Sequence, residues 1–313
     1  MLTRRQARIK VMQQLYGYWQ DQDIPEAALR KTLRQQLEAT YQAYVFALVC
    51  VREVAAYADT HAEIQAGKLL ASEEQKKVST RVAHTPIIQF LQEDDRITKP
   101  ERKLKFKNHL DDELFRRLFR ELVQRDLYQR YTDETALIQP SDDEILVYLF
   151  KEVMLQDEGF DQLMENAFPV WIDDYDVIAQ AVSQTLEGLA RESFHTHDDM
   201  AEKVDEIEEF AIELLEKTLA HQQKAAQLIE PKLKNWDLER IAVMDLLLMN
   251  MALTEILDFP TIPVKVTMNE YIDISKAYST PKSREFINGV LDKIVKDLRQ
   301  QDQIYKTGRG LKE

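Results

Sequence analysis

The chain has 313 residues and a formal net charge of -14, with 31% charged and 44% hydrophobic residues. This length is enough for about two domains with a sizeable core. The acidic balance excludes attraction of nucleic acid by the overall field, so any RNA or DNA contact must be local. The single cysteine, Cys50, excludes an internal disulfide and is predicted to be a small buried residue. No apolar segment follows the basic N-terminus, so we expect a cytoplasmic, helix-rich protein without a membrane span.

The first twenty residues are predicted to form one amphipathic helix. Thr3 and Gln6 have the spacing of a capping box. Apolar side chains at helical spacing are expected to face a core: Ala7, Val11, Leu15 and Tyr18 or Trp19. Four cations precede the first acidic residue: Arg4, Arg5, Arg8 and Lys10. Cations in a first turn oppose the helix dipole, so they indicate an anionic partner, whereas the alternative is a solvated basic terminus.

Residues 24 to 189 are predicted to be nearly all helical, beginning with a long apolar-periodic helix over residues 27–58. Four prolines are expected to mark breaks between helices: Pro86, Pro100, Pro140 and Pro169. The clearest amphipathic helix is predicted from Asp111 to Tyr131. Its arginines, and the basic run from Lys99 to Lys107 before it, leave two interpretations open. They form either a second nucleic-acid face or a solvated surface mixed with acids.

Sites for catalysis or for a metal are not predicted. His195 and His197 stand beside Asp198 and Asp199, but no cysteine or third histidine lies nearby with the spacing of a zinc site. The aspartates are expected to cap a helix over residues 200–220. Phosphate loops, nucleophile elbows and metalloprotease motifs are absent from the sequence. We therefore expect no enzymatic activity, no metal and no cofactor.

The C-terminal third has the strongest local pattern. Residues 241–257 are apolar around nearly the whole helix, which predicts a buried position in a bundle, since the segment is shorter than the roughly 20 residues of a membrane span. Pro260 and Pro263 end this helix. A second helix is predicted over residues 264–278, and a third after an N-cap at Ser283. Gly289 inside the third helix indicates close approach of a neighbouring helix or a ligand.

Two separated stretches resemble NusB transcription antitermination factors. Residues 4–16, Arg-Arg-Gln-Ala-Arg-Ile-Lys-Val-Met-Gln-Gln-Leu-Tyr, resemble the family's opening helix. Residues 263–270 (Pro-Val-Lys-Val-Thr-Met-Asn-Glu), 274–277 (Ile-Ser-Lys-Ala) and 283–293 (Ser-Arg-Glu-Phe-Ile-Asn-Gly-Val-Leu-Asp-Lys) resemble its later part, and the last of these is the most specific. Residues from about 194 to 298 as a whole look like the rest of a NusB domain, and with the opening helix the resemblance covers about 120 residues, a usual domain size.

The resemblance implies an all-α, NusB-like helical bundle with an additional all-helical insertion. The NusB-like RNA-binding domain would be discontinuous, with residues 1–23 and 190–313, and residues 24–189 would be the insertion, whose role the family does not supply. We expect the domain to fold without residues 24 to 190. Asn250 stands where many family members have an arginine, and Lys10 stands where a small residue is common.

The resemblance also implies binding of single-stranded boxA-like RNA with NusE, a ribosomal protein, in the RNA polymerase antitermination complex of ribosomal RNA transcription. Arg4, Arg5, Arg8 and Lys10 would contact phosphates. Four such contacts predict that the logarithm of the binding constant falls with the logarithm of the salt concentration with a slope of about -3. Tyr16 and Phe286 would stack on bases, or else occupy core positions. Asn288 and Lys293 would reach a base edge or a phosphate.

Two other classes of function compete with this interpretation. RNA cytosine methyltransferases carry a NusB-like domain before a Rossmann-like domain, but this chain has no glycine-rich cofactor loop after the motif, so we reject that class. A helical protein-interaction scaffold that has lost RNA binding is the remaining alternative. The basic first helix argues against the scaffold, and charge reversal in that helix would discriminate between the two.

Overall fold

The structure is a computed structural model that describes residues 3–67, 79–133, 135–189, 198–233 and 241–311. Within residues 198–233, side chains are described from residue 205 onward. The histidines of the considered zinc site lie outside these ranges. The described residues form helices and no strand, so the all-α prediction is confirmed. The α-helices, numbered α1 to α14, are Arg4–Gln20, Glu26–Ala66, Pro86–Glu93, Asp95–Lys103, Asp112–Val123, Asp126–Thr132, Asp142–Tyr148, Glu158–Ala167, Trp171–Leu189, Asp198–Ala220, Gln222–Ile229, Val243–Asp258, Val264–Tyr278 and Ser283–Gln300.

Pro100 does not mark a break between helices, contrary to the prediction, because it lies inside α4. A proline in a helix removes a backbone donor and leaves a carbonyl without its usual partner. The carbonyl of Arg96, four residues earlier, instead accepts a hydrogen bond from the Tyr41 hydroxyl at 3.4 Å. A side chain from α2 thus satisfies the group that the proline leaves open.

The helix predicted from Asp111 to Tyr131 is two helices, because the chain bends at Gln124 and Arg125. Arg125 has an extended backbone, with φ -81° and ψ 138°, and serves as the N-cap of α6. The bend lets Tyr128 and Tyr131 enter the core, where both are buried. Amphipathic periodicity did not reveal the bend, since apolar residues continue on both sides of it.

The chain divides into two compact units. The middle unit is Glu38–Val204, and the split unit is Thr3–Leu37 with Asp205–Glu313. Helix α2 belongs to both units, with its residues up to Leu37 in the split unit. The boundaries predicted from the sequence were residues 23 and 190.

The middle unit has one continuous apolar core. It includes α2 residues from Ala43 to Ala58 and aromatic side chains from the later helices, among them Phe106, Phe119 and Trp171. Cys50 is fully buried, and burial raises the pKa of its thiol. The core position predicted for this cysteine is therefore confirmed.

In the split unit, α12 is the buried centre and packs against α1, α11, α13 and α14. The predicted range of the second helix, residues 264–278, is confirmed. Ser283 is not an N-cap, however: Lys282 takes that position. The Ser283 hydroxyl donates to Asp245 Oδ2 at 2.8 Å, and the Ser279 hydroxyl donates to Asp245 Oδ1 at 2.6 Å. The Ser283 hydroxyl therefore binds the buried carboxylate of Asp245, and Ser283 is not the residue that caps α14.

The C-terminal end of α12 is covered by two lysines and by the chain's last turn. Lys217 Nζ donates to the Asp258 carbonyl at 3.2 Å, and Lys306 Nζ donates to the Phe259 carbonyl at 2.9 Å. Cations there complement the negative end of the helix dipole. Gly310 packs so closely on Pro260 that a Cβ atom would lie 2.0 Å from the Pro260 carbonyl oxygen.

Charge is divided unequally between the two units. Residues 38–204 hold 19 of the 41 Lys and Arg residues but 33 of the 55 Asp and Glu residues. The rest of the chain is balanced, with 22 of each sign. The net charge of -14 therefore belongs to the middle unit, and the split unit does not repel an anion by its net charge. None of the helices in the described ranges has the length and hydropathy needed to cross a membrane.

Candidate nucleic-acid interface

The first turn of α1 presents cations at the positive end of a helix. Thr3 is the N-cap, and its hydroxyl accepts from the Gln6 backbone N–H while Gln6 Oε1 accepts from the Thr3 N–H at 2.6 Å. The predicted capping box is therefore confirmed. No acidic residue lies in the first turn, and Arg4 and Arg5 are both exposed. Helix dipole and side chains thus add positive potential at the same place.

Arg5 is held by two carboxylates of α13. Its Nε and Nη2 donate to the two oxygens of Glu270 at 2.9 Å each, and Nη2 also donates to Asp273 at 3.1 Å. The hydrogen bond to Glu270 raises the pKa of Arg5. Arg5 remains about half exposed. Its guanidinium is oriented by these contacts, but part of its charge is already compensated.

Arg4 differs from Arg5 in having no ion pair with any described residue. Its guanidinium lies 5.4 Å from the centre of the Phe210 ring on α10. A cation over an aromatic face gains modest stabilisation and keeps its charge uncompensated. Of the two first-turn arginines, Arg4 is the more available to an external phosphate.

Arg8 is a buried structural residue rather than a surface cation, since its side chain is only 3% exposed. Its Nε and Nη2 donate to the two oxygens of Glu255 at 2.7 and 2.8 Å. Glu255 is fully buried and also accepts from the hydroxyls of Thr267 at 2.6 Å and Tyr271 at 3.2 Å. Burial opposes the charge of Arg8, but the Glu255 contacts outweigh it and the pKa of Arg8 is raised.

Lys10 and Phe286 do not face solvent either, contrary to the RNA-contact prediction, since both side chains are buried. Lys10 lies on the buried side of α1, three residues after the fully buried Ala7. Phe286 occupies the core position that was its alternative. Tyr16, by contrast, is 39% exposed and not a core residue. Of Tyr18 and Trp19, the alternatives for the last core position, Trp19 is exposed and Tyr18 is partly buried.

Asn288 and Lys293 are exposed on α14. Neither forms a hydrogen bond or ion pair with α1 in the described parts of the chain, so the structure does not join them to the arginines by direct contact. Gly289 beside them has no atom within 4 Å of the place where a Cβ would stand. Close helix packing is therefore not the reason for this glycine, and the surface around it is open.

Sequence reasoning missed the acidic partners of the arginines. Glu255 interrupts an otherwise apolar helix, and a buried charge needs a partner of opposite sign. Arg8 shares a helical face with Ala7, Val11 and Leu15, which face the core. These two signals together would have paired Arg8 with Glu255 and removed Arg8 from the RNA-contact set.

The fold and this surface define an all-α protein whose buried ion-pair network holds a helix with a cationic N-terminus. A model of the NusB family matches residues 172–296. Transcription antitermination protein NusB of Chloroherpeton thalassium is 31% identical over 141 residues, which cover 40% of this chain and 67% of that protein. The chain therefore belongs to the NusB family.

Two further relatives carry the same name. The protein of Salinibacter ruber is 47% identical over 103 residues, which cover 33% of this chain and 64% of that protein. The protein of Desulfitobacterium hafniense is 42% identical over 94 residues, which cover 30% of this chain and 64% of that protein. The chain thus matches just under two thirds of the length of these two relatives. No solved structure gave a significant match.

Proposed function

We propose that this protein is a transcription antitermination factor whose split unit binds single-stranded boxA-type RNA. Its relatives are named as antitermination proteins. The observation that carries the RNA-binding part is the first turn of α1, which holds two exposed arginines and no acid of its own, with Arg5 partly compensated by Glu270 and Asp273 of α13. Such a turn favours phosphate groups through both backbone N–H donors and side-chain charge.

We divide the eight candidate residues into two groups by their exposure. Arg4, Arg5 and Lys293 contact phosphates, Tyr16 stacks on an unpaired base, and Asn288 reads a base edge or phosphate. Arg8, Lys10 and Phe286 support this surface from inside. Three phosphate contacts, at about 0.7 each, give a salt slope of about -2 for single-stranded RNA, which is shallower than the sequence alone suggested.

The partners follow from the same proposal. The protein acts without catalysis in the cytoplasm, together with NusE in the RNA polymerase antitermination complex of ribosomal RNA transcription. The part of the middle unit before residue 172, where the NusB family match begins, is an insertion within the NusB-like domain. The balanced charge of the split unit also suits RNA binding better than the acidic chain as a whole does.

Equilibrium binding by fluorescence anisotropy tests the proposal. The probes are a labelled boxA-like RNA and a scrambled RNA of equal length, each with and without NusE and across a salt series. We expect tighter binding to the boxA-like RNA, further strengthened by NusE. Arg4→Gln should weaken binding and lower the salt slope by about 0.7. Arg30→Gln is the matched control, because Arg30 is exposed in the same unit but paired with Glu216 at 2.7 Å.

Equal and weak binding to both RNAs, unchanged by NusE, would overturn the proposal. The protein-interaction scaffold would then be the better account, since the middle unit carries all the excess negative charge. Equal losses in Arg4→Gln and Arg30→Gln would show that only bulk charge matters, and would remove the first turn of α1 from the binding surface.

A further inference from the structure

A cleft of about 580 Å³ lies between α5 and α8 of the middle unit. Helix α5 contributes three arginines to its wall, Arg116, Arg117 and Arg120, and α8 contributes the amides Gln162 and Asn166. The volume falls within the roughly 300–1,000 Å³ of small-molecule sites. Guanidinium and amide groups together make the wall rich in hydrogen-bond donors.

Arg117 is fixed in position by the start of α8. Its Nη2 donates to Asp157 Oδ1 at 2.6 Å, and the same oxygen accepts from the backbone N–H groups of Gly159 at 2.8 Å and Phe160 at 3.1 Å. Gly159 leaves the space that this arginine needs, because a Cβ there would lie 2.6 Å from Arg117 Nη2. The N-cap and the glycine therefore hold one guanidinium in the cleft.

The carboxylates at the wall match its arginines in number, since Asp111 and Glu113 line the cleft and Asp157 pairs with Arg117. Asp111 caps α5 by accepting from the backbone N–H groups of Glu113 and Leu114. Glu113 pairs with Arg116 at 2.9 Å, but it is 84% exposed, so this pair is weak. Arg120 forms no hydrogen bond or ion pair with any described residue. The cleft thus presents one unpaired guanidinium beside two that are already oriented.

We propose that this cleft binds a small anion that carries a phosphate or polyphosphate group. The planar fork of a guanidinium pairs with phosphate oxygens through two parallel hydrogen bonds, and the facing amides add neutral donors. A small anion is favoured over nucleic acid by the charge of the unit, where 33 acids outnumber 19 bases. A polyanion meets that whole repulsive field, whereas a small ligand meets mainly the groups of the cleft. This site is independent of the RNA-binding proposal.

Isothermal titration calorimetry of the full chain with pyrophosphate, and separately with ATP, tests the site at about physiological ionic strength. We expect saturable binding of at least one of them to the wild-type protein. Arg120→Gln should weaken it about tenfold or more, since a charge-assisted hydrogen bond is lost. Arg130→Gln is the control, because Arg130 is exposed on α6 outside the cleft and is likewise without an ion pair among the described residues. It makes the same charge change and should alter the affinity less than about twofold.

Gly159→Ala supplies a second variant, since it displaces Arg117 without removing charge, and it should also weaken binding. Absence of saturable binding of both probes to the wild-type protein would overturn the proposal. So would equal weakening by Arg120→Gln and Arg130→Gln. A generic single-stranded RNA that binds more tightly than ATP and loses affinity in Arg120→Gln would assign the cleft to nucleic acid instead, and would likewise overturn it.

Discussion

The buried pair of Arg8 and Glu255 leads to a stability prediction for Glu255→Gln. The glutamine has nearly the shape of glutamate but carries no charge, and its NH2 group meets a guanidinium that has only donors. Arg8 then stays buried with only Glu270 as a carboxylate, at 3.4 Å from Nη1. Breaking a buried ion pair by removing one partner typically costs about 3–5 kcal/mol. Because Glu270 compensates partly, we expect the split unit to lose about 3 kcal/mol of unfolding free energy.

Arg8→Gln should cost less than Glu255→Gln. Glu255 would keep the hydroxyl donors of Thr267 and Tyr271, so its charge would remain partly satisfied, and a loss of about 1–3 kcal/mol is expected. In the double variant the losses should not add, since the two residues share one network. The control is again Arg30→Gln, which breaks a half-exposed pair in the same unit and should cost less than about 1 kcal/mol.

Hydrogen–deuterium exchange of peptides from α12 and α13 measures these free energies, because it reports on the split unit separately from the middle unit. The expected order of loss is Glu255→Gln, then Arg8→Gln, then Arg30→Gln. A Glu255→Gln protein within about 1 kcal/mol of the wild type would refute the argument. It would mean that the guanidinium of Arg8 reaches solvent and does not depend on Glu255.

Two further predictions concern the C-terminal end of α12. Gly310→Ala should detach the last turn, because its Cβ would lie 2.0 Å from the Pro260 carbonyl oxygen; faster exchange of the Lys306 peptide would report this, and unchanged exchange would contradict it. Burial lowers the pKa of Lys306 to about 8, with smaller opposing contributions from Glu255 and Asp258. An unfolded lysine has an ordinary pKa of about 10.4, so between about pH 8 and 10 the unfolded chain binds more protons. The free-energy penalty that burial of the charged Lys306 imposes on the native state therefore falls as the pH rises. Urea unfolding at pH 7.5 and 9.5 should show this gain in the wild type relative to Lys306→Met, and parallel pH profiles would disprove it.

The bounds of helices α12 to α14 could be predicted closely, because the apolar pattern of the sequence ends where prolines and turn residues begin. Residues 243–258 form a helix that is apolar nearly all round, and Pro260 and Pro263 separate it from the next. Ser283 could not be placed correctly, since its choice between capping and pairing depends on Asp245, which lies far away in sequence. Tertiary contacts thus decided the details that local preference left open.

The sequence predicted which types of residue form the candidate site, but it predicted less well which of them are exposed to solvent. The cluster of arginines in α1 was evident, but a charge pattern does not show which arginines face inward. Arg4 and Arg8 lie on the same side of the helix, close to the Phe210 ring at 5.4 and 5.3 Å. Arg4, in the first turn, remains at the surface, whereas Arg8 lies one turn further along the helix and meets Glu255 of α12.

Helix α2 is shared by the two units, and this makes residue 24 an unsuitable place to cut the chain. Its first turns belong to the split unit, where Leu29, Leu33 and Leu37 are buried. Removing residues 24–189 would therefore leave the smaller protein with an uncovered apolar groove, and aggregation rather than folding would be its expected fate. A shortened protein that keeps the chain up to Leu37 retains those leucines in the split unit.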